Sequence, residues 1–435
     1  MPYGESRPDP LRVRLLAARD ARQALLERHR EAGGGRALVA LSLAIPGSEK
    51  APPGARPLFD WALGAARAAL PGARLLHRGD DALGPLALLA ADADPAAAKR
   101  ACVAVEEARP AARLVDLDVY ADGAQVDRSV LGLSQRGCLA CGAPARECIR
   151  AGRHRPEEVV ARARALLQGL LPASLAAGLK LELLLTPKPG LVDRADRGSH
   201  PDLSLALMER SIGLVAGYLD EVHGSLARQD PLDRQVALGR EAERRMLAAC
   251  GTNTHKGAIF LGGLLLAASA RAAPEAGEAG LRRAIASVSE ELLAGRALPA
   301  SHGEAARRAF SVGGILGEAL RGLPAVFEAA LPAWRAATSR GRGDGPASFA
   351  MLAALMQSVE DTTALHRCGA AGLATLRADG RRLAALLEAG EAPEPFLAER
   401  NRAWVAMNLT MGGVADLLGL ALGLLVHEGA VASPA

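Results

Sequence analysis

Lysine is almost missing from this chain. Five lysines (Lys50, Lys99, Lys180, Lys188 and Lys256) stand against 47 arginines in 435 residues. Arginine and alanine are both inflated, the mark of a genomic bias. Where arginine is the default cation, a lysine inside a polar motif means a compact point charge in place of a planar fork. Lys188 and Lys256 are such cases. A strong charge of either sign is lacking too: a formal net charge of +4 gives no ground for expecting a nucleic-acid partner. The longest apolar runs, near 257–270 and 417–426, are too short to span a bilayer and read as buried helices, so no membrane association is expected. The N-terminus is polar, with Pro and Arg and no apolar h-region, so no signal peptide is expected. Six cysteines in so long a chain, without a secretion signal, make no disulfide framework and point to the reducing cytoplasm. No repeat of fixed period stands out.

What is present is globular: half the residues are hydrophobic and 23% are charged. A chain this long exceeds one ordinary core, so several domains are expected. The first part reads as mixed α/β. Residues 11–30 carry apolar positions at helical spacing; 37–46, 85–92 and 113–123 look like strands; 57–70 and 95–108 look helical. A charged, Pro-marked seam at 150–157 predicts a boundary. From 157 to 426 strand signals nearly vanish, and about ten helical segments alternate with Gly/Pro punctuation. The expected architecture is multidomain: an α+β domain over 1–155, a small sheet with helices, then an all-α domain over 156–435.

Two constellations stand out in the first part. In "VDLDV", Asp116 and Asp118 lie two apart on a strand, so both point to one face. Side-by-side carboxylates repel unless a cation sits between them, and Mg²⁺ held by carboxylates and substrate phosphates suits the pattern. The bland alternative is a pair of solvent-facing acids on an edge strand. Next comes Cys138-x2-Cys141-x6-Cys148-x5-His154. Three thiols and an imidazole suffice for one tetrahedral Zn²⁺, which would be structural because four protein ligands leave no open position. The spacing is irregular for known fingers, and free cytoplasmic thiols are the alternative.

The helical part carries polar, glycine-bearing loops. "LTPKPGLVDRADRGSHPDLSLALM" is stiffened by its prolines and delivers Lys188, Asp193, Arg194, His200 and Asp202 within a short stretch. In "CGTNTHKGAIF", Thr252, Asn253 or Thr254 could cap a helix starting near Lys256. A helix N-terminus with a lysine and a close-approach Gly257 is a good anion site. The Walker order is absent. "GILGEALRGLP" holds Glu318; "SVEDTTALHRCG" holds Glu360, Asp361, His366 and Arg367; "NLTMGGVADLLG" puts Gly412 and Gly413 before a helix with Asp416 in its first turn. Acid in a first turn is ordinary capping. Together such loops in one helical domain point to a site between helices that combines cations for phosphate with carboxylates for metal or proton transfer.

"TPKPGLVDR", "NTHKGAIF", "GEA" at 317–319, "EDT…LHR" and "GGVADLL" together resemble triphosphoribosyl-dephospho-CoA synthase, across roughly 175–425 and in family order. That family makes the prosthetic-group precursor of citrate lyase and has a malonate decarboxylase counterpart. The stretches "LLAARDARQALLERH", "SLAIPG", "EE" at 106–107, "RLVDLDV", "LGL" and the "C..C" segment resemble apo-citrate lyase phosphoribosyl-dephospho-CoA transferase, across roughly 10–155. Fusions of these two enzymes are familiar.

The resemblance implies two reactions. ATP and 3′-dephospho-CoA would give 2′-(5″-triphosphoribosyl)-3′-dephospho-CoA and adenine in the helical domain. That is glycosyl transfer through an oxocarbenium-like state, so carboxylates near the sugar and a base for the hydroxyl are needed. Asp193, Glu318 and Asp361 are the candidates, with His255 and His200 as base or orienting groups. Lys188, Lys256 and Arg367, with Mg²⁺ on Asp361, would hold the triphosphate. Arg194, Asn253, Gly257, Gly412, Gly413 and Asp416 complete the binding set. In the first domain a serine of the apo acyl carrier protein, the γ subunit of citrate lyase, would attack the α-phosphate and release pyrophosphate. Asp116 and Asp118 would hold the metal there and Arg128 and Arg136 the phosphate. Malonate decarboxylase service, or a carrier-protein-binding assembly factor with a degenerate catalytic half, are the competing expectations. The chain departs from the family pattern at Leu316 (Arg), Thr363 (Asn), Cys368 (Gly), Thr410-Met411 (Ser-Pro) and Arg109 (His). Arg321, one turn beyond Glu318, is a candidate substitute for the missing arginine.

Overall fold

The computed structural model describes residues 10–31, 36–122, 124–252, 254–273, 276–294 and 302–434. The chain forms two compact units that divide between Leu170 and Leu171. The expected α+β part followed by an all-helical part is what the chain adopts.

The first unit contains α1 (Pro10–Glu31), β1 (Ala37–Leu43), α2 (Ala55–Ala69), β2 (Arg74–Asp81), β3 (Gly84–Ala91), α3 (Pro95–Glu107), β4 (Val115–Ala121), β5 (Ala124–Gln125), α4 (Ala145–Arg150) and α5 (Pro156–Gln168). The strands form one antiparallel sheet in the order β2-β3-β1-β4-β5. Alternation sorts its faces. Val115, Leu117 and Val119 of β4 are fully buried with Val39 and Leu41 of β1 and with Leu58, Phe59 and Ala62 of α2. On the other face Leu26 of α1 packs on Leu38 and Leu88. The strand β2 lies outside the sequence expectation because "RLLHRGDD" carries no apolar alternation; its residues are mostly exposed at the sheet edge. Ala163, Leu166 and Leu167 of α5 lie in this unit's core, which carries the division past the seam at 150–157.

The second unit contains α6 (Leu171–Leu184), α7 (Leu205–Ala227), α8 (Leu232–Cys250), α9 (Lys256–Arg271), α10 (Gly277–Leu293), α11 (His302–Phe310), α12 (Gly314–Leu320), α13 (Leu331–Ser339), α14 (Asp344–Ser358), α15 (Thr362–Ala389), α16 (Glu394–Met407) and α17 (Gly412–Glu428). The helices α9 and α17 are apolar all round and lie at the centre, as such helices must. Glycine lets α6 and α17 touch backbone to backbone: a Cβ at Gly178 would fall 2.2 Å from Gly423 N. The run from Pro156 to Leu184 is apolar and long enough to cross a membrane, yet it breaks between α5 and α6, and 61% of its most apolar window is buried within the protein.

Candidate functional site

In the second unit, two carboxylates tie together the starts of α9, α15 and α17. Asp361 caps its own helix α15: Oδ1 accepts Thr363 N–H and Ala364 N–H, both at 2.9 Å. Its Oδ2 accepts Val414 N–H at 2.9 Å, and the N–H of Gly413 also bonds this carboxyl. Asp361 is fully buried. Burial pushes its carboxyl above the ordinary range, opposed by the four N–H groups. Asp416, one turn into α17, accepts the N–H of Ala258 in α9. Burial first, then Glu182 and Asp361, raise Asp416 well above its usual range, which favours its protonated form. Ile315 of α12 closes the group, beside both Gly257 and Gly413. Three helix N-termini with their positive dipole ends therefore meet at one place.

Gly257 is required here by a carboxylate. A Cβ would lie 1.9 Å from Asp416 Oδ2. Gly257→Ala should therefore expel the carboxyl from Ala258, lowering stability by roughly 2 kcal/mol or more. A denaturation midpoint matching the parent's would overturn this account. Gly413 and Gly412 are small for related reasons: Cβ atoms there would lie 3.1 Å from Asp361 Oδ2 and 3.0 Å from Thr363 Oγ1.

The loop between α6 and α7 supplies the next layer. Lys188 is fully buried, and its Nζ donates to Glu182 Oε1 and to Glu182 O, both at 2.5 Å. It thus faces a carboxylate within the fold and not open solvent. Burial raises the Glu182 carboxyl, and Lys188 pulls it back. Asp193 binds its own loop: Oδ2 accepts Lys188 N–H at 2.8 Å, and Oδ1 accepts Ala195 N–H at 2.7 Å and Asp196 N–H at 3.3 Å. Arg194 is exposed. Asn401 of α16 grips the loop from both sides, accepting Gly190 N–H at 2.9 Å and donating to Asp196 Oδ2 at 2.7 Å.

His255 precedes α9. Its Nδ1 lies 2.7 Å from Ser211 Oγ, and Ser211 also bonds Thr254. Burial and the nearby Lys188 push its imidazole down to about 4, so the ring is neutral. Its Nε2 is buried with no hydrogen-bond partner among the described residues. Lys256 is part-exposed and pairs with Glu243 at 3.3 Å. Asn253 lies outside the described residues. His200 bridges Thr410 Oγ1 at 2.9 Å and Arg367 at 3.3 Å; burial and Arg367 push it to about 4. Arg367 also donates to Ser199 O at 2.7 Å and Asn408 Oδ1 at 3.0 Å. Glu318 accepts Ala325 N–H and Arg321 Nη2, both at 2.8 Å.

The structure brings Asp361, Asp416, Gly257, Gly413, His255 and Lys188 into one region, and Glu318 lies one turn beyond Ile315 on α12. Asp193, Glu318 and Asp361, the candidates for the sugar side of the site, are each engaged here by backbone N–H groups of their own surroundings. Glu182, Ser211 and Asn401 escaped the sequence reading, and Thr410 entered it only as a departure from the family pattern. Glu182 left one signal, an acid inside the apolar run "KLELLL".

In the first unit Asp116 and Asp118 do share a face of β4, opposite Ser42 and Ala40 of β1. Burial and then Asp116 raise Asp118 to about 6; Gln125 donates to it at 2.7 Å. Glu106 of α3, buried, organises the neighbourhood. It accepts Leu117 N–H at 2.9 Å, Arg128 Nη2 at 2.5 Å and Arg136 Nη2 at 3.0 Å. Arg136 also reaches Asp116 at 3.3 Å and bonds Val115 O. Arg136 thus reaches the acid pair directly, while Arg128 is held by Glu106 and Glu107. Arg109, a departure from the family pattern, stacks on Trp61 with its guanidinium carbon 4.3 Å from the ring centre. Cys138, Cys141, Cys148 and His154 form one cluster whose donor atoms all lie within 4.8 Å of one another. An N–H bond from Ala143, then His154, hold the Cys141 thiol down to about 6, while burial pushes Cys148 up to about 11.

Residues 170–433 match the family model described as ATP:dephospho-CoA triphosphoribosyl transferase, and residues 12–169 match the one described as apo-citrate lyase phosphoribosyl-dephospho-CoA transferase. A 2-(5''-triphosphoribosyl)-3'-dephosphocoenzyme-A synthase of Klebsiella pneumoniae is 38% identical over 251 residues, 55% of this chain and 88% of the relative. Proteins named as probable synthases of the same kind from Azotobacter vinelandii and Pseudomonas aeruginosa (strain UCBPP-PA14) are 39% and 38% identical, covering 58% and 55% of this chain and 89% and 85% of theirs. The chain is thus a transferase that belongs to the ATP:dephospho-CoA triphosphoribosyl transferase family and carries an apo-citrate lyase phosphoribosyl-dephospho-CoA transferase domain ahead of it.

Proposed function

We propose that the chain both makes and attaches the citrate lyase prosthetic group in the cytoplasm. In the helical unit the 2′-hydroxyl of 3′-dephospho-CoA attacks C1′ of the ATP ribose, the C1′–N9 bond breaks, and adenine leaves. Adenine takes up one proton and the hydroxyl gives one up, so the site needs one group that holds a proton and one that can accept it. Asp416, raised by burial and neighbouring acids, holds one. Neutral His255, with Nε2 unpartnered, can accept one. The meeting of three helix N-termini at Asp361 and Asp416 carries this reading, because it supplies fixed positive ends for a triphosphate. Lys256 at the start of α9, Arg367 and exposed Arg194 supply mobile charge around it. Lys188, Asp193, Glu318 and Asp361 act as positioning residues.

In the first unit a serine hydroxyl of the apo carrier protein, the γ subunit, attacks the α-phosphate of the product, and pyrophosphate leaves. Asp116 and Asp118 fit Mg²⁺: they share a face and repel each other, and a cation would offset that repulsion. When bound, Mg²⁺ would neutralise phosphate charge; Arg128 and Arg136 orient the phosphoryl group from the side of Glu106.

Incubation with ATP, Mg²⁺ and dephospho-CoA should release adenine. Failure to form adenine while dephospho-CoA still binds would sink the first reaction. Adding apo carrier protein should raise its mass on one serine. Because burial and Asp116 favour the protonated form of Asp118, which Mg²⁺ must displace, transfer at limiting Mg²⁺ should rise with pH. In Asp118→Asn transfer should be low and flat with pH, and a parental pH profile in that variant would refute the role of this carboxylate.

A further inference from the structure

We infer that Cys138, Cys141, Cys148 and His154 bind one structural zinc ion that holds Arg136 in place beside Asp116 and Glu106. Four donor atoms of the right kinds already lie within 4.8 Å of one another, with Cys141 and Cys148 sulfurs 3.5 Å apart. Tetrahedral zinc needs about that spread, since Zn–S bonds are ~2.3 Å and Zn–N bonds ~2.0 Å. His154 Nε2 is buried and has no hydrogen-bond partner among the described residues, an orphan nitrogen that a metal bond would satisfy. On the far side of the ring, Glu158 lies 3.8 Å from Nδ1, the place where a carboxylate orients a metal-bound imidazole.

The backbone supports the same reading. Residues 137 to 144 form a tight hairpin, with Gly137 bridged to Pro144, Cys138 N–H on Ala143 O at 2.6 Å and Gly142 N–H on Cys138 O at 2.9 Å. The turn presents Cys138 and Cys141 together, and α4 brings Cys148 and then His154 against them. The helix α4 has only six residues and buries only Cys148, and in the hairpin Leu139 packs on the unit's core, so apolar anchoring of the cluster is sparse. Zinc entry displaces three thiol protons to solvent and forms three Zn–S bonds and one Zn–N bond, leaving one net negative charge.

The consequence reaches the neighbouring acids. Ala145 N–H bonds Arg136 O at 2.9 Å, so Arg136 sits at the foot of the hairpin, and its guanidinium lies 3.3 Å from Asp116 and 3.0 Å from Glu106. Arg113 ties the hairpin to the start of β4 through Cys138 O at 2.6 Å. This positioning consequence rests on the transfer reading above; the metal claim does not.

The full chain, purified without chelator and under reducing conditions, should carry about one zinc per chain by elemental analysis. Cys141→Ser and His154→Ala should each drop below ~0.2 zinc per chain. Cobalt(II) in place of zinc should give the visible absorption of tetrahedral thiolate coordination, which tests the parent chain directly if those variants misfold. Stripping the metal should abolish carrier-protein transfer and leave adenine release intact. A parent chain that holds no zinc and gives no such cobalt spectrum overturns the inference, as does a Cys141–Cys148 disulfide, two hydrogens lighter by mass. Zinc present with transfer indifferent to its removal overturns the positioning of Arg136 alone.

Discussion

Asp361→Asn should be among the most damaging single substitutions in the helical unit. Both carboxylate oxygens are surrounded by N–H donors: Thr363 and Ala364 on one side, Val414 and Gly413 on the other. Asparagine keeps the shape but turns one acceptor into a donor, so one pair of buried N–H groups would face an NH₂. Hydrogen bonds to a charged group are worth ~1.5–3 kcal/mol each, and orphaned buried donors cost about as much again, so a loss of roughly 3–5 kcal/mol is expected. For a unit of this size that lowers the thermal midpoint by ~6–15 °C. Amide exchange should quicken first at the starts of α15 and α17, because those helices share the cap. A midpoint within ~2 °C of the parent would show that the junction does not depend on this carboxylate. Asp416→Asn provides the contrast. Burial and the neighbouring Glu182 and Asp361 favour the protonated form of Asp416, which the amide matches in shape and charge. Stability should hardly move, while adenine release should fall steeply if this proton is the one adenine takes.

The division of labour between these two aspartates was only half legible in the sequence. In the sequence, 358–369 shows only an acid-bearing polar stretch that closes a helix; in the fold Asp361 opens α15 as its cap, and that it also caps α17 depends on a helix 53 residues further on. Local signals came through well. The Cys/His spacing, the alternation that puts Asp116 and Asp118 on one face, and the helix entrance at Lys256 are all short-range patterns, fixed by backbone period. Partners brought in by tertiary packing did not come through. Ser211 meets His255 across 44 residues, Asn401 meets Gly190 across 211, and Thr410 meets His200 across 210. A departure from the family pattern such as Thr410 looks neutral as a letter and turns out to hold a histidine. The strand β2 was lost for the opposite reason: its charged side chains hide a backbone that pairs with β3 along nearly its whole length.

Removing the Lys188 charge should be as damaging as touching Asp361, and its pH dependence identifies why. Lys188→Met leaves Glu182 buried without its cation. Breaking one side of a buried ion pair costs about 3–5 kcal/mol, whereas replacing both sides by apolar groups is often neutral. The double variant Glu182→Leu, Lys188→Met should therefore recover most of the stability that Lys188→Met loses. The Glu182 carboxyl is raised by burial even with Lys188 present, and without the lysine it rises further. A group whose folded-state pKa lies above its unfolded value binds protons better in the folded chain, so its stabilising protonation is lost as pH rises through the folded value. The single variant should accordingly be least unstable in mild acid, where Glu182 takes a proton, and worsen toward alkaline pH. The double variant should lack that slope, and the parent should show a shallower one, because Lys188 pulls the Glu182 carboxyl back. Activity separates two roles for Lys188. If it only holds Glu182 and the loop around Asp193, the double variant should regain adenine release along with stability. If instead it reaches the triphosphate during turnover, stability returns and the Michaelis constant for ATP stays high. The buried position of Lys188 favours the first outcome, and a lasting defect in ATP use by a stable double variant would overturn it.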